Sequence, residues 1–110
     1  MLFSDLTVKL SLFPVVGEIP NSFEGVYAGD LLSRAMSRVE AGNLWITIMN
    51  NMNVVAVASL TEAAAVILAE GVKLMPEAEE AARENNITVL SSDLSVYEIC
   101  RVIGSIDKGL

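Results

Sequence analysis

Short apolar segments rich in β-branched residues alternate with helix-start signals along most of this chain, and this alternation constrains the fold more than any other feature. The predicted strands are Phe13–Val16, Val26–Ala28, 44–49 (LWITIM) and 87–90 (ITVL). Residues 54–58 (VVAVA) are apolar on both faces, which favours a further strand covered by helices on both sides. We therefore predict an α/β fold, with a mostly parallel sheet flanked by helices.

In the N-terminal half, two helices are predicted from capping residues. Residues 5–11 favour a short helix, with a strand as the alternative because this stretch contains β-branched residues. A clearer amphipathic helix follows Asp30, which is predicted to be its N-cap, and is expected to close at Gly42.

In the C-terminal half, residues 59–62 (SLTE) match a capping box that would open a short alanine-rich helix. Residues 63–70 fit either a continuation of that helix or a strand, and a strand suits the alternation better. Pro76, followed by acidic residues, predicts the start of the next helix. Ser95 opens a second capping box, and the final helix is expected to end at Gly104.

The absence of histidine and the presence of one cysteine remove most catalytic and metal-binding chemistry. Serine and cysteine hydrolases need a histidine base, and zinc sites need His or several Cys ligands. We therefore predict no catalytic residue, no metal site, no cofactor and no enzymatic activity. Cys100 is expected to be a buried, inert thiol, because reactive cysteines need positive, partly exposed surroundings.

The charge and hydropathy of the chain indicate which partners to expect. The net charge is −7 and the basic residues are scattered, which disfavours nucleic acid and anionic membranes. No apolar stretch has the length of a membrane span and no signal-peptide pattern occurs, so a cytoplasmic location is expected. Hydrophobic residues make up 53 % of the chain, which favours a homodimer formed through residues 44–58 or the helix over 31–39.

Two long segments resemble the DRTGG domain family. Residues 65–103 contain an apolar strand, a Gly turn, a Pro-started acidic helix, a short strand, a Ser/Asp loop and a final helix. Residues 25–48 (GVYAGDLLSRAMSRVEAGNLWITI) are similar to the small stand-alone branch of the family, with its Asp-Leu-Leu-Ser helix start and Trp-Ile-Thr strand. The resemblance covers most of the chain, and residues 1–110 are interpreted as one DRTGG-like domain.

This resemblance implies a fold similar to the N-terminal domain of HPr kinase/phosphatase, which lacks that enzyme's catalytic residues. Relatives occur between paired CBS domains in some pyrophosphatases and beside phosphotransacetylase domains, where they look like regulatory or dimerising modules. The chain contains no phosphate-loop motif, so the resemblance does not imply kinase activity. Where relatives often carry Thr-Gly-Gly after a strand, this chain has Ala69, Glu70 and Gly71.

One small-ligand site is predicted where two strands end and two helices begin. Its candidate residues are Gly71, Lys73, Ser91, Ser92 and Asp93. Ligands of parallel α/β sheets bind at the carboxyl ends of strands, and helix N-termini attract anions, so a small anionic or nucleotide-like ligand is expected. The alternative is a tight turn with two ordinary helix caps, in which Asp93 serves as a cap.

The sequence leaves two functions open. The first is a non-catalytic regulatory or ligand-sensing domain that acts as a homodimer. The second is a protein-interaction or assembly adaptor without a small-molecule ligand. The first predicts a thermal shift with nucleotides or small anions, whereas the second predicts an exposed apolar groove or patch and a stable protein partner.

Overall fold

The computed structural model describes residues 1–108, which form a mixed five-stranded sheet with helices against both faces. After a 3₁₀ turn at Phe3–Asp5, the elements are β1 (Phe13–Val16), β2 (Val26–Ala28), α1 (Leu32–Arg38), β3 (Leu44–Thr47), α2 (Met52–Thr61), β4 (Ala65–Leu68), α3 (Pro76–Glu84), β5 (Val89–Ser91) and α4 (Val96–Lys108). The strand order is β1-β5-β4-β3-β2. Strands β2 to β5 run parallel, and β1 pairs antiparallel with β5. The predicted α/β fold with a mostly parallel sheet is confirmed.

Each face of the sheet supports its own core. Strands β2 to β5 lie side by side in chain order, and the usual right-handed crossover then puts the intervening helices α1, α2 and α3 on one face. These helices pack on Trp45 and Val66. The N-terminal segment and α4 cover the other face, over Ile46, Ile67 and Leu90. Strand interiors are apolar on both sides for this reason, as parallel sheets require.

The predicted strand over 54–58 is wrong, because these residues lie within α2. The side chain of Asn51 caps that helix by accepting a hydrogen bond from the Asn53 N–H at 3.0 Å. The buried positions are those of a helical stripe: Val54, Val55, Val57 and Ala58. A crossover is also required here, since β3 and β4 are parallel and adjacent. Topology and the Asn51 cap therefore override the β-preference of the valines.

The same correction extends to the following residues. The S-x-x-E pattern at 59–62 closes α2 instead of opening a helix, and Glu62 adopts a left-handed conformation with φ 58° at its C-cap. The preferred strand interpretation of the next segment is confirmed by β4. The last predicted strand is also confirmed, although it begins at Val89 instead of residue 87.

Several helix ends differ from the predictions. Asp30 is not the N-cap of α1, because Leu31 occupies that position without a side-chain cap. The helix ends at Arg38, where Val39 turns extended, so Gly42 does not close it. Gly104 does not end α4, which continues to Lys108. A glycine in mid-helix costs about 1 kcal/mol relative to alanine, too little to break a well-packed helix.

Two other predictions about helix starts are confirmed and one is confirmed in part. Pro76 begins α3 as predicted. The second capping box is confirmed, since the Glu98 N–H donates to the Ser95 hydroxyl at 3.1 Å. The first predicted helix is only partly formed: a 3₁₀ turn at Phe3–Asp5 without a side-chain cap is followed by hydrogen-bonded turns up to residue 11.

Candidate ligand cavity at the carboxyl edge of the sheet

A cavity of about 340 Å³ opens at the carboxyl ends of β4 and β5, beside the start of β1. We name it the Gly71 cavity. Four of the five predicted site residues line it, namely Gly71, Lys73, Ser91 and Asp93. Five further residues complete the wall: Phe13, Val15, Val72, Leu74 and Glu79. The structure thus brings together residues from two loops that are about 20 positions apart in the chain.

A tight turn after β4 forms one wall of the Gly71 cavity. Glu70 and Gly71 both adopt left-handed conformations, with φ 59° and 67°, and the Val72 N–H closes the turn on the Ala69 carbonyl at 3.1 Å. The Gly71 N–H donates to the Ser92 carbonyl at 3.0 Å, which fixes this turn to the opposite loop. A Cβ at Gly71 would lie 3.1 Å from Asp93 Oδ1, so glycine permits both the turn and the close carboxylate.

Ser91 and Ser92 are both buried, but their hydroxyls differ in their hydrogen bonds. The Ser92 hydroxyl donates to the Leu10 carbonyl at 2.6 Å and accepts from the Leu94 N–H at 3.2 Å. It therefore supports the loop from behind and does not line the cavity. The Ser91 hydroxyl forms no hydrogen bond with any residue in the range 1–108, and Ser91 lines the cavity.

The charges around the Gly71 cavity are mixed. Lys73 supplies an ammonium group, while Asp93 and Glu79 supply carboxylates. Glu79 is already paired with Arg83, whose Nη2 lies 3.0 Å from Glu79 Oε2. The ring of Phe13 is 53 % exposed at the mouth. An aromatic ring, a carboxylate, an ammonium and a free hydroxyl suit a ligand with a flat apolar part and polar substituents.

Sequence reasoning did not identify Phe13 and Glu79 as part of the cavity. Phe13 lies opposite Ser91 only because β1 pairs antiparallel with β5, a contact between distant parts of the chain. Glu79 is one of several acidic residues in the first turns of α3, and nothing in the sequence distinguishes it from its neighbours. The short apolar run over 13–16 predicts a strand, but it does not show which strand is its neighbour.

A second polar group lies farther along the same edge, where β2 and β3 end. Asp30 Oδ1 accepts hydrogen bonds from the Thr47 hydroxyl at 2.7 Å and from the Ile48 N–H at 3.0 Å. The Thr47 hydroxyl in turn accepts from the Met49 N–H at 3.1 Å. We name these residues the Asp30 cluster. Asp30 was predicted as a helix cap, but its carboxylate instead ties two strand ends together.

Cys100 lies outside the Gly71 cavity, half-buried on α4. Desolvation by burial raises the pKa of its thiol, which keeps the sulfur protonated. Within residues 1–108, no three His, Cys, Asp or Glu side chains are grouped so that they could hold a metal ion. The described helices also include none with the length and apolar character that a membrane span requires.

Comparison with protein families identifies the type of domain that this chain forms. The family model described as "DRTGG domain" matches residues 23–106. The chain belongs to the DRTGG domain family. This match includes all five predicted site residues, while β1 and the 3₁₀ turn precede it. A search of curated proteins found no match.

A solved structure shows the same fold. It is the crystal structure of the CBS and DRTGG domains of the regulatory region of Clostridium perfringens pyrophosphatase, complexed with the activator diadenosine tetraphosphate. That chain is 18 % identical to this one, with a TM-score of 0.73 over 93 % of this chain. This chain spans 45 % of that chain. The arrangement of strands and helices is therefore that of a DRTGG domain known from a regulatory region.

Proposed function

We propose that the protein is a regulatory domain that binds a small nucleotide-like ligand in the Gly71 cavity and acts as a homodimer. The observation that carries this proposal is the convergence of Gly71, Lys73, Ser91 and Asp93 on one cavity of about 340 Å³. The relative from Clostridium perfringens supports it, because that regulatory region is complexed with a nucleotide activator. In this proposal, residues 1–110 act as one non-catalytic domain in the cytoplasm.

The lining residues match the parts of a nucleotide. The exposed ring of Phe13 offers a surface on which a base can stack. A carboxylate such as Asp93 accepts hydrogen bonds from ribose hydroxyls, and Lys73 attracts phosphate. The Ser91 hydroxyl provides a further partner within the wall. Ser92 supports these groups through its bonds to Leu10 and Leu94.

The charges around the Gly71 cavity indicate which class of nucleotide fits it best. Lys73 supplies the one ammonium of the cavity lining, and its charge is offset by Asp93, while Glu79 is paired with Arg83; a highly charged triphosphate therefore finds too little positive charge here. The volume lies near the lower end of ligand pockets, which are about 300–1,000 Å³. A nucleoside or nucleoside monophosphate is therefore the ligand class that we expect to bind best.

Thermal unfolding of the full chain tests ligand binding. The probes are AMP, GMP, ATP, adenosine and inorganic phosphate, each at millimolar concentration. A ligand present at 100 times its Kd stabilises the folded state by about 2.7 kcal/mol, so binding raises the Tm measurably. We expect the largest shift with a monophosphate. A flat response to all five probes contradicts the proposal.

Variants locate the binding site. Lys73→Ala and Asp93→Asn are expected to weaken binding at least about tenfold, as loss of one charge-assisted hydrogen bond does. Lys9→Ala is the matched control, because Lys9 is an exposed lysine outside the cavity lining. Equal shifts in all three variants would mean that the ligand binds elsewhere on the protein.

A specific observation also favours the second function, an assembly adaptor. A mainly apolar groove of about 510 Å³ lies between α1 and α2, lined by Leu32, Met36 and Val57 among others. An adaptor would use this groove to bind another protein and would bind no small molecule. Purification from the native host discriminates the two functions, because an adaptor is recovered with a stoichiometric second protein.

A further inference from the structure

The outer surface of α2 carries an apolar stripe. Met52, Ala56 and Leu60 are exposed and occur four residues apart, so they lie on one side of the helix. Leu60 is 70 % exposed and Met52 is 51 % exposed. Scattered methionine is usually core filler, and this helix departs from that rule. An apolar stripe on an outward-facing helix indicates a contact surface.

The stripe continues toward α1. The groove between the two helices is lined by Ser33, Met36, Asn53 and Ala56 together with residues of its floor. Met36 is 49 % exposed on the α1 side of that groove. Met36, the groove and the stripe of α2 thus form one mainly apolar band, bounded on the far side of α2 by α3.

The flanks of this band carry opposite charges. On α1, Arg34 and Arg38 are exposed. On α3, three exposed glutamates follow at spacings of three and four residues: Glu77, Glu80 and Glu84. Within residues 1–108, none of these five side chains forms an ion pair, since the pair on α3 joins Glu79 to Arg83. Helix α2 lies between them and contacts both α1 and α3.

This pattern is complementary to itself. A two-fold axis that lies in the interface and runs along the outer surface of α2, parallel to the helix, would place α2 against its symmetry mate and α1 of one copy across from α3 of the other. Arginines on one subunit would then face glutamates on its partner, twice per dimer. We propose that the α1–α2–α3 layer is the interface between two copies of this chain, an inference that rests on the homodimer of the proposed function.

The sequence analysis included β3 in a possible dimer surface over residues 44–58, but β3 cannot take part in this interface. Leu44, Trp45 and Ile46 are fully buried inside the sheet, so β3 is not accessible to a second copy. The outer sides of α1 and α2 remain available, and they overlap the segment over 31–39 and the C-terminal part of the segment over 44–58. Polar flanks around an apolar centre are also the usual layout of a protein interface.

Charge-swap variants analysed by sedimentation velocity at micromolar concentration test this interface. One variant makes α1 acidic (Arg34→Glu with Arg38→Glu), and the other makes α3 basic (Glu77→Lys, Glu80→Lys and Glu84→Lys). Each alone juxtaposes like charges in both halves of the dimer, so each Kd is expected to rise by about tenfold or more. Mixing the two variants is expected to restore a heterodimer, because both halves are then attractive again.

The control is Arg101→Glu, which reverses an exposed charge on α4 at the opposite face of the sheet. It is expected to leave the dimer unchanged, and circular dichroism verifies that each variant is folded. A monomeric wild type would contradict the homodimer itself. A wild-type dimer that resists both swaps, or a mixture that fails to associate, would overturn this interface while the homodimer and ligand binding remain separate questions.

Discussion

The Asp30 cluster and the Gly71 cavity lie on the same edge of the sheet, but their polar side chains differ in how many hydrogen bonds they form within the protein. In the Asp30 cluster, one carboxylate oxygen accepts from Thr47 and Ile48, so the groups bond to one another. In the Gly71 cavity, the Ser91 hydroxyl has no partner within residues 1–108, and no ion pair there includes Lys73 or Asp93. Position at the carboxyl edge is therefore not sufficient to mark a ligand site.

This difference has a physical reason. A polar group that already holds its hydrogen bonds gains little from a ligand, because binding must first break them. An unpartnered hydroxyl beside a cavity exchanges only water for a ligand atom. Internal pairing thus indicates a structural function and lack of pairing indicates a binding function, which mutations can test.

The largest effect is expected at Ser92, a paired hydroxyl directly behind the cavity. Ser92→Ala leaves the Leu10 carbonyl without its partner in a buried place and the Leu94 N–H without its partner in a partly buried one. We expect a loss of about 2 kcal/mol in the free energy of unfolding, measured with urea. A loss below about 0.5 kcal/mol would show that internal pairing does not measure structural importance here.

Asp30 tests the cluster itself. Asp30→Ala removes the acceptor of Thr47, whose side chain is buried, and of the Ile48 N–H. We expect a loss of about 1.5 kcal/mol in the free energy of unfolding, less than at Ser92 because Asp30 is exposed and water replaces part of the bonding. Asp30→Asn keeps an amide oxygen and serves as the control with a smaller loss. Nucleotide binding should be unchanged in both, and a loss of binding would make the cluster part of the site.

Two glycines with positive φ extend the test to the backbone. Gly71 and Gly42 both have positive φ, 67° and 84°, so alanine at either position costs about 1 kcal/mol. A Cβ at Gly42 meets nothing within 4 Å, whereas a Cβ at Gly71 lies 3.1 Å from Asp93 Oδ1. Gly71→Ala is therefore expected to lose slightly more stability in urea unfolding than Gly42→Ala, and only Gly71→Ala should weaken nucleotide binding. Equal binding by the two variants would remove Asp93 from the site.

Sequence patterns located much of this edge because strand ends and turn residues are local signals. Gly71 follows an apolar run and Asp93 precedes a capping box, and parallel strands bring their carboxyl ends together. What could not be predicted depends on distant partners. The position of Phe13 beside Ser91 follows from antiparallel pairing across most of the chain. The bonding of Ser92 to Leu10 is equally long-range.

Long-range contacts also decide the structure of residues 54–58, which form part of α2 and not the predicted strand. Their valines favour a strand locally, but a helix forms there because two parallel neighbours must be joined by a crossover and Asn51 supplies the cap. The error also hid the exposed stripe of Met52, Ala56 and Leu60, since only a helix places these residues on one side. The apolar composition therefore indicates two segments of the proposed interface, residues 31–39 and 44–58, but only the fold shows which side of each helix faces outward.

The smallest loss of stability is expected at Ser91. This residue tests most directly whether a hydroxyl without a partner in the protein serves ligand binding. Ser91→Ala removes a hydroxyl that bonds to nothing in the part of the chain that the structure describes, so the free energy of unfolding should change by less than about 0.5 kcal/mol. Binding of a nucleoside monophosphate, measured by titration calorimetry, should nevertheless weaken, since the cavity wall loses its one uncharged side-chain hydrogen-bonding group. Ser92→Ala gives the opposite pattern if the pairing argument is correct. One of these adjacent serines would then contribute to stability and the other to ligand binding. Unchanged affinity in Ser91→Ala would mean that its hydroxyl is not a ligand contact.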